Sequence, residues 1–323
     1  MAKEIFCASG VTKHFVGHQS LVKKLRKVEP FVVRAVDGVD FTINEGETIG
    51  LVGESGCGKS TLGRTMVGLY PLTSGTIEMF GQKVDENRTL EQRRAIQMIF
   101  QDPFSSLNPQ MTIRSMLEEI LLFHKLETKA TVENRIKELL TLVGLPLTAM
   151  DSHPRQFSGG QRQRIGIARA LALNPKILIA DEAVSALDVS VQATIVNLLL
   201  DLKRDLGLTM VFISHNIAVV RQISDRIAVM YLGRIVEMGP TEQVFKDPKH
   251  PYTKVLLESI PRMTPGSQLT TVVTGEAMDA QSSRVGCRFR NRCSSAMSAC
   301  ATTDPTLLTV GTNHQAACLL YNK

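Results

Sequence analysis

No stretch of these 323 residues approaches the run of about 18 uncharged apolar residues that a membrane-spanning helix requires. The opening, Met1-Ala2-Lys3-Glu4-Ile5, has an early acid and no long apolar core. No secretory leader is therefore expected there, and the chain is expected to stay in the cytosol. There is no internal repeat, which argues against a repeat array. Cysteine is nearly missing from most of the chain: Cys7 and Cys57 stand apart, and the other four of the six lie after residue 286. None forms a C-x2-C pair, which counts against a zinc ribbon. What is present suffices for a core. The apolar content is 43%, and the length allows one large domain and a smaller one. The net charge of +6 suits a solvated basic surface or one that rests near an anionic membrane or nucleic acid, and charge alone does not separate these.

The most informative stretch is Gly53-Glu54-Ser55-Gly56-Cys57-Gly58-Lys59-Ser60-Thr61, which fits G-x-x-x-x-G-K-[ST]. It follows the strand-like run Glu47–Val52 and leads into a helical pattern over Thr61–Val67. Glycines let backbone N–H groups converge on phosphate oxygens, and the helix start adds orphan donors. Lys59 can reach the outer phosphates and the Ser60 hydroxyl can take one position on Mg²⁺. The stretch predicts binding of a nucleoside triphosphate.

Strands are expected over 5–15, 31–43, 76–81 and 96–100, with a basic irregular stretch over 18–30 (His18, Lys23, Lys24, Arg26, Lys27). The pattern over 112–150 is helical. A basic helix starts at Ser158-Gly159-Gly160. Buried strands follow at Ile177–Ala180 and Thr209–Ile213, separated by a helix from about Val191 to Leu206. A hairpin is expected over 227–239 and a Pro/Thr/Ser/Gly-rich linker over 261–285.

Four strands end in polar residues: Gly53, Gln101, Asp181-Glu182 and His215. In an α/β sheet, ligands bind at the carboxyl ends of strands, so these are expected to meet at one site. Asp181 is suited to Mg²⁺ and Glu182 to polarising a water. The Gln101 amide can touch Mg²⁺ or water, and the His215 imidazole can contact the γ-phosphate. Ser158–Gln161 is a second anion-binding helix start with no phosphate loop of its own, which suggests that it completes a site on another subunit.

Taken together, these motifs resemble the ATP-binding subunits of ABC transporters: the phosphate loop Gly53–Thr61, Gln101, the signature Phe157–Gln161, the acidic strand Ile177–Glu182, Ser185–Asp188 and His215. Phe157 stands where the family signature usually begins with Leu. The resemblance implies a P-loop NTPase α/β core with a small antiparallel β subdomain, a helical subdomain over about 102–157 and a C-terminal extension, dividing the chain into 1–245 and 246–323. It implies ATP and Mg²⁺ as ligands. Gly53, Ser55, Gly56, Gly58, Lys59, Ser60 and Thr61 would hold phosphate, Phe15 would stack on adenine, and Ser158, Gly160 and Gln161 would hold the nucleotide of a facing subunit. Ser60, Gln101 and Asp181 would hold Mg²⁺, while Glu182, His215 and Gln101 would serve hydrolysis.

Asp247–Thr253 and the cysteine segment resemble, more narrowly, the oligopeptide/dipeptide importer branch. That resemblance implies an iron–sulfur cluster, with zinc as the alternative, at Cys287, Cys293, Cys300 and Cys318. It also implies a second, non-identical ATPase subunit, two transmembrane permease subunits and a substrate-binding protein. The expected place is the cytoplasmic face of the membrane, and the expected cargo is di- or oligopeptides; the branch also includes nickel and glutathione importers. One phosphate loop and a modest helical insert count against a soluble ABC ATPase acting on ribosomes or nucleic acid.

Overall fold

The computed structural model describes residues 3–17, 30–185, 187–259 and 285–322. The basic residues His18, Lys23, Lys24, Arg26 and Lys27, Ala186, and the expected linker up to residue 284 lie outside them.

The phosphate-loop strand, β3 (Thr48–Val52), is buried at all five positions. It lies inside a sheet of eight strands among the described residues. Around it run β6 (Ile96–Ile99), β7 (Ile177–Asp181), β8 (Thr209–Ile213) and β9 (Arg226–Tyr231), in the order β9-β3-β8-β7-β6 and parallel throughout. Such strands are apolar at every position because both faces are covered. Alternate residues go to opposite faces, as the period of two requires. Ile49, Leu51, Ile177, Ile179, Val211 and Ile213 share one core cluster; Val52, Leu178, Ala180, Met210 and Phe212 belong to the other. Each fully buried aliphatic chain contributes about 1.5–3 kcal/mol, so the middle of this sheet is the most stable part of the molecule.

Two different layers cover the faces. One is a four-stranded antiparallel sheet, ordered β2-β1-β4-β5, from β1 (Glu4–Val16), β2 (Val32–Asn44), β4 (Ser74–Met79) and β5 (Gln82–Val84). It supplies Phe6, Phe41 and Ile43 to the core. The other is helical. It includes α4 (Ile113–Phe123), α5 (Val132–Leu142) and α6 (Gly159–Leu171), which bury Leu117, Ile136, Leu139, Leu140 and Ile165. The other helices up to β9 are α1 (Lys59–Met66), α2 (Leu90–Ala95), α3 (Pro103–Ser106), α7 (Val189–Leu206) and α8 (Ile217–Ile223). Among the described residues, no helix is long and apolar enough to cross a membrane.

The sheet does not end with the expected hairpin. β10 (Arg234–Pro240) pairs with β9, and after α9 (Thr241–Lys246) and α10 (Pro251–Glu258) the chain returns as β11 (Leu308–Gly311) and β12 (His314–Ala316). β12 pairs antiparallel with β10, Glu237 opposite Ala316, so the C-terminal region is built onto the main sheet.

Candidate active site

The carboxyl ends of β3, β6, β7 and β8 open on the same edge because the strands are parallel and in near register. Leu51 and Asp181 both stand opposite Ile213, and Ile99 stands opposite Ala180. Beyond that edge is a cleft of about 480 Å³, lined by Ser55–Thr61, Gln101 and Glu182 together with Phe15, Val33–Ala35, Leu232 and Gly233.

The loop takes its path because its glycines permit it. Gly53 has φ +151° and Gly58 φ +111°, where a side chain is strained. A Cβ at Gly53 would lie 2.1 Å from the Met230 carbonyl oxygen, and one at Gly58 would lie 2.0 Å from that of Ala35. Gly58 caps α1, so the loop amides and the helix start face one cleft. Lys59 is buried, and its Nζ donates to the carbonyls of Gly53 at 2.8 Å and Glu54 at 2.9 Å. Burial pushes the Cys57 thiol up from its ordinary pKa, which keeps it protonated inside the loop.

Ser60 Oγ donates to Asp181 Oδ1 at 2.7 Å. Asp181 is fully buried, and its Oδ2 has no hydrogen-bond partner among the described residues. Desolvation raises its pKa, against the bond from Ser60 and the charges of Arg64 and Lys59. A buried carboxylate oxygen with no partner beside a hydroxyl is a hard, anionic donor set, and it fits Mg²⁺.

Glu182 follows with φ +46°, a left-handed conformation rare for a residue with a side chain. Its N–H donates to the Ile213 carbonyl at 2.9 Å, and its own carbonyl accepts from the Ser185 N–H at 3.0 Å and hydroxyl at 2.9 Å. The turn brings the carboxylate to the cleft. There Oε2 accepts from Gln101 Nε2 at 2.8 Å and lies 3.6 Å from His215 Nδ1. A backbone held in such a region costs about 1–3 kcal/mol and is kept where the surroundings fix it. Gln101 thus bonds Glu182 through its amide nitrogen, and it is not bonded to Asp181 or Ser60.

Phe15 lines the cleft, packed edge-on to Tyr70 at 5.4 Å with Lys13 Nζ 5.1 Å from its ring centre. Leu232, Gly233 and Val33–Ala35 form the wall beside it and were missed in the sequence. The turn residue Gly233 between two strand patterns was their only signal. Ser158, Gly160 and Gln161 do not line the cleft. They form a capping box at the start of α6, the Gln161 N–H donating to Ser158 Oγ at 3.3 Å and the Ser158 N–H to Gln161 Oε1 at 3.0 Å.

The structure lends the cysteine expectation no support. Cys287, Cys293, Cys300 and Cys318 are near enough to influence one another's charge, yet among the described residues no group of three or more His, Cys, Asp or Glu could hold a metal ion. In the local turns the Cys287 N–H donates to the Cys300 carbonyl at 2.8 Å, and Cys300 Sγ accepts from the Met297 N–H at 3.5 Å. Burial raises the Cys287 pKa to about 11 and pushes Cys293 and Cys318 up as well. Neither a [4Fe–4S] cluster nor zinc is supported.

The ABC transporter profile matches residues 36–185, and that of the oligopeptide/dipeptide transporter C-terminal region matches 236–300. A putative peptide import ATP-binding protein of Brucella abortus is 50% identical over 90% of this chain and 87% of its own length. The oligopeptide transport ATP-binding proteins AppF of Bacillus subtilis and OppF of Salmonella typhimurium are 46% and 47% identical over 90% of this chain and 90% and 89% of theirs. A dimeric ATP-binding cassette in a post-hydrolysis state, bound to ADP and Pi, superposes with a TM-score of 0.63 at 29% identity, covering 73% of this chain and 99% of that one. The phosphate loop at the head of a parallel sheet, the acidic strand end beside it and a C-terminal region of matching type leave one assignment: this chain belongs to the ABC transporter ATP-binding proteins, in their oligopeptide/dipeptide branch.

Proposed function

We propose that this chain hydrolyses ATP in the cleft at Gly53–Thr61 to energise import of di- or oligopeptides through partner membrane subunits. The observation that carries the chemistry is the meeting, at one sheet edge, of the Ser60–Asp181 bond and the Glu182 carboxylate held by Gln101. The relatives' names carry the cargo.

In this reading the loop amides and Lys59 bind the phosphates, with Lys59 exchanging the Gly53 and Glu54 carbonyls for phosphate oxygens. Ser60 and Asp181 hold Mg²⁺, which when bound neutralises phosphate charge. Glu182 accepts the proton of the attacking water. Gln101 and His215 orient that carboxylate, and both are placed to respond to the γ-phosphate. Phe15 stacks on the base. Ser158, Gly160 and Gln161 complete the site of a facing ATP-binding subunit, which accounts for their absence from the cleft of a single chain.

A groove between the helical layer and β6 is lined by Phe100, Ile120, His124 and Arg169, with Phe123 exposed at its rim. It begins one residue before Gln101 and suits an apolar segment of a permease subunit at the cytoplasmic membrane face. Motion of that segment would reach Glu182 through Gln101.

The test is Glu182→Gln. ATP turnover is expected to fall at least about 100-fold while ATP binding persists, with a closed ATP-bound dimer appearing on size exclusion. Unchanged turnover refutes the assignment of Glu182 as the base.

A further inference from the structure

The C-terminal region reaches the phosphate loop directly. Arg292 lies in a 3-10 turn, Arg290–Arg292, 238 positions from Glu54. Its guanidinium pairs with the Glu54 carboxylate through two bonds, Nη2 to Oε1 at 2.7 Å and Nη1 to Oε2 at 3.0 Å. The rings of Phe289 and Tyr231 stand 5.6 and 5.9 Å from the guanidinium carbon and help to fix the fork. The Arg292 side chain is only 10% exposed, against 38% for Glu54, so the pair is built from the C-terminal side.

Every polar group of Glu54 is engaged. Its N–H donates to the buried Tyr252 hydroxyl at 2.8 Å, its carbonyl accepts from Lys59, and its carboxylate takes Arg292. Tyr252 belongs to the stretch Asp247–Thr253, to which the sequence assigned no task. A second arginine of the same segment, Arg288, donates to the carbonyl of Leu232, which also lines the cleft, at 2.5 Å and to Asp37. Glu54 also poses an electrostatic problem. It places a carboxylate on a loop whose task is to receive a polyanion, where like charges repel. A bidentate guanidinium cancels that charge and turns the carboxylate to one side.

We propose that Arg292 is a positioning residue for nucleotide binding: acting through Glu54, it fixes the phosphate loop and removes the loop's own negative charge, so that the C-terminal region sets the affinity for ATP. This rests on the reading of Gly53–Thr61 as an ATP site.

The experiment is MgATP titration of the full chain by calorimetry, with thermal unfolding of each variant alongside. Arg292→Met is expected to weaken MgATP binding about five- to ten-fold, because an uncancelled carboxylate remains on the loop. Adding Glu54→Gln to Arg292→Met is expected to recover most of that loss, and the loss is expected to shrink as salt rises. A merely structural role would not give this charge-specific rescue. Parent-like affinity in Arg292→Met, or no recovery in the double variant, overturns the proposal. Should Arg292→Met fail to fold, Arg292→Lys keeps the charge but loses the fork, and about two- to three-fold weaker binding is expected. Parent-like binding there also overturns the proposal. An unsubstituted chain that binds no MgATP overturns the ATP-site reading, and this inference with it; a parent that binds while its Arg292 variants match it overturns this inference alone.

Discussion

Gly58 has nowhere to put a side chain. An alanine there would combine a left-handed backbone with a Cβ 2.0 Å from the Ala35 oxygen, a contact that neither backbone can relieve without moving β2 or the start of α1. We expect Gly58→Ala to destabilise the chain by about 2 kcal/mol or more in urea unfolding, and to abolish MgATP binding where it folds. Gly56 also has positive φ, but a Cβ there meets nothing within 4 Å, so Gly56→Ala should cost only backbone strain, about 1 kcal/mol. This ordering separates steric from conformational demands on one loop. Asp181 makes the complementary case. It keeps a buried carboxylate oxygen without a partner, at a cost in stability that Mg²⁺ can repay. We expect Asp181→Asn to lower MgATP affinity while leaving Mg²⁺-free ATP binding less affected, measured by titration with and without chelator. These residues were legible in the sequence because each signal is local. A nine-residue motif or an Asp-Glu at the end of an apolar strand carries its context with it. The fork of Arg292 on Glu54 carries none: neither residue's neighbours announce a partner 238 positions away.

Among the elements, the long apolar strands and amphipathic helices were the most readable, since β7 and β8 are buried at every position and α4 and α5 follow helical spacing. The expected strand over 31–43 hides a change of face. Val36 and Val39 are both fully buried because a register shift at Gly38 turns the strand between them. β11 and β12 were not legible. They are four and three residues long, with half-exposed positions and too few residues for periodicity to register. What attaches them is a buried carboxylate on β10. Glu237 accepts from the N–H groups of Lys249 and His250 at 2.7 and 2.8 Å and pairs with His314 Nε2 at 2.7 Å. Glu237→Ala leaves three polar groups, two of them buried, without their acceptor, and we expect it to cost about 3 kcal/mol in denaturant unfolding.

His250, at the start of α10, gives this junction a pH dependence. Its ring is buried, its Nδ1 accepts from the Tyr252 N–H at 3.1 Å, and desolvation pushes its pKa down from 6.5 to about 4. The fold therefore keeps His250 neutral while the unfolded chain takes up a proton. Its contribution is complete above about pH 6.5 and is lost as pH falls towards about 4, on the order of 3 kcal/mol in all. The urea midpoint should fall across that window, and less steeply in His250→Gln.

At the scale of the whole molecule, the parallel sheet gathers every residue that chemistry needs onto one edge, and the covering layers put that edge in contact with different surroundings. The antiparallel sheet brings Phe15 to the wall of the cleft, Ser158–Gln161 at the start of α6 lie outside its lining, and the C-terminal region holds the loop through Arg292 and Glu54. In the proposed function a single chain holds half of the site, which would make hydrolysis depend on assembly. Cys287, Cys293, Cys300 and Cys318 mark the limit of spacing as a signal: among the described residues no group of three or more His, Cys, Asp or Glu could hold a metal ion. In the proposed function, ATP turnover serves peptide import with membrane partners. This is tested most directly by ATP turnover of the full assembly in proteoliposomes, with and without a peptide-loaded binding protein. Turnover stimulated by di- or oligopeptide and lost in Glu182→Gln is expected; recovery of the chain with ribosomes or DNA in place of integral membrane subunits, or turnover indifferent to peptide, contradicts the account.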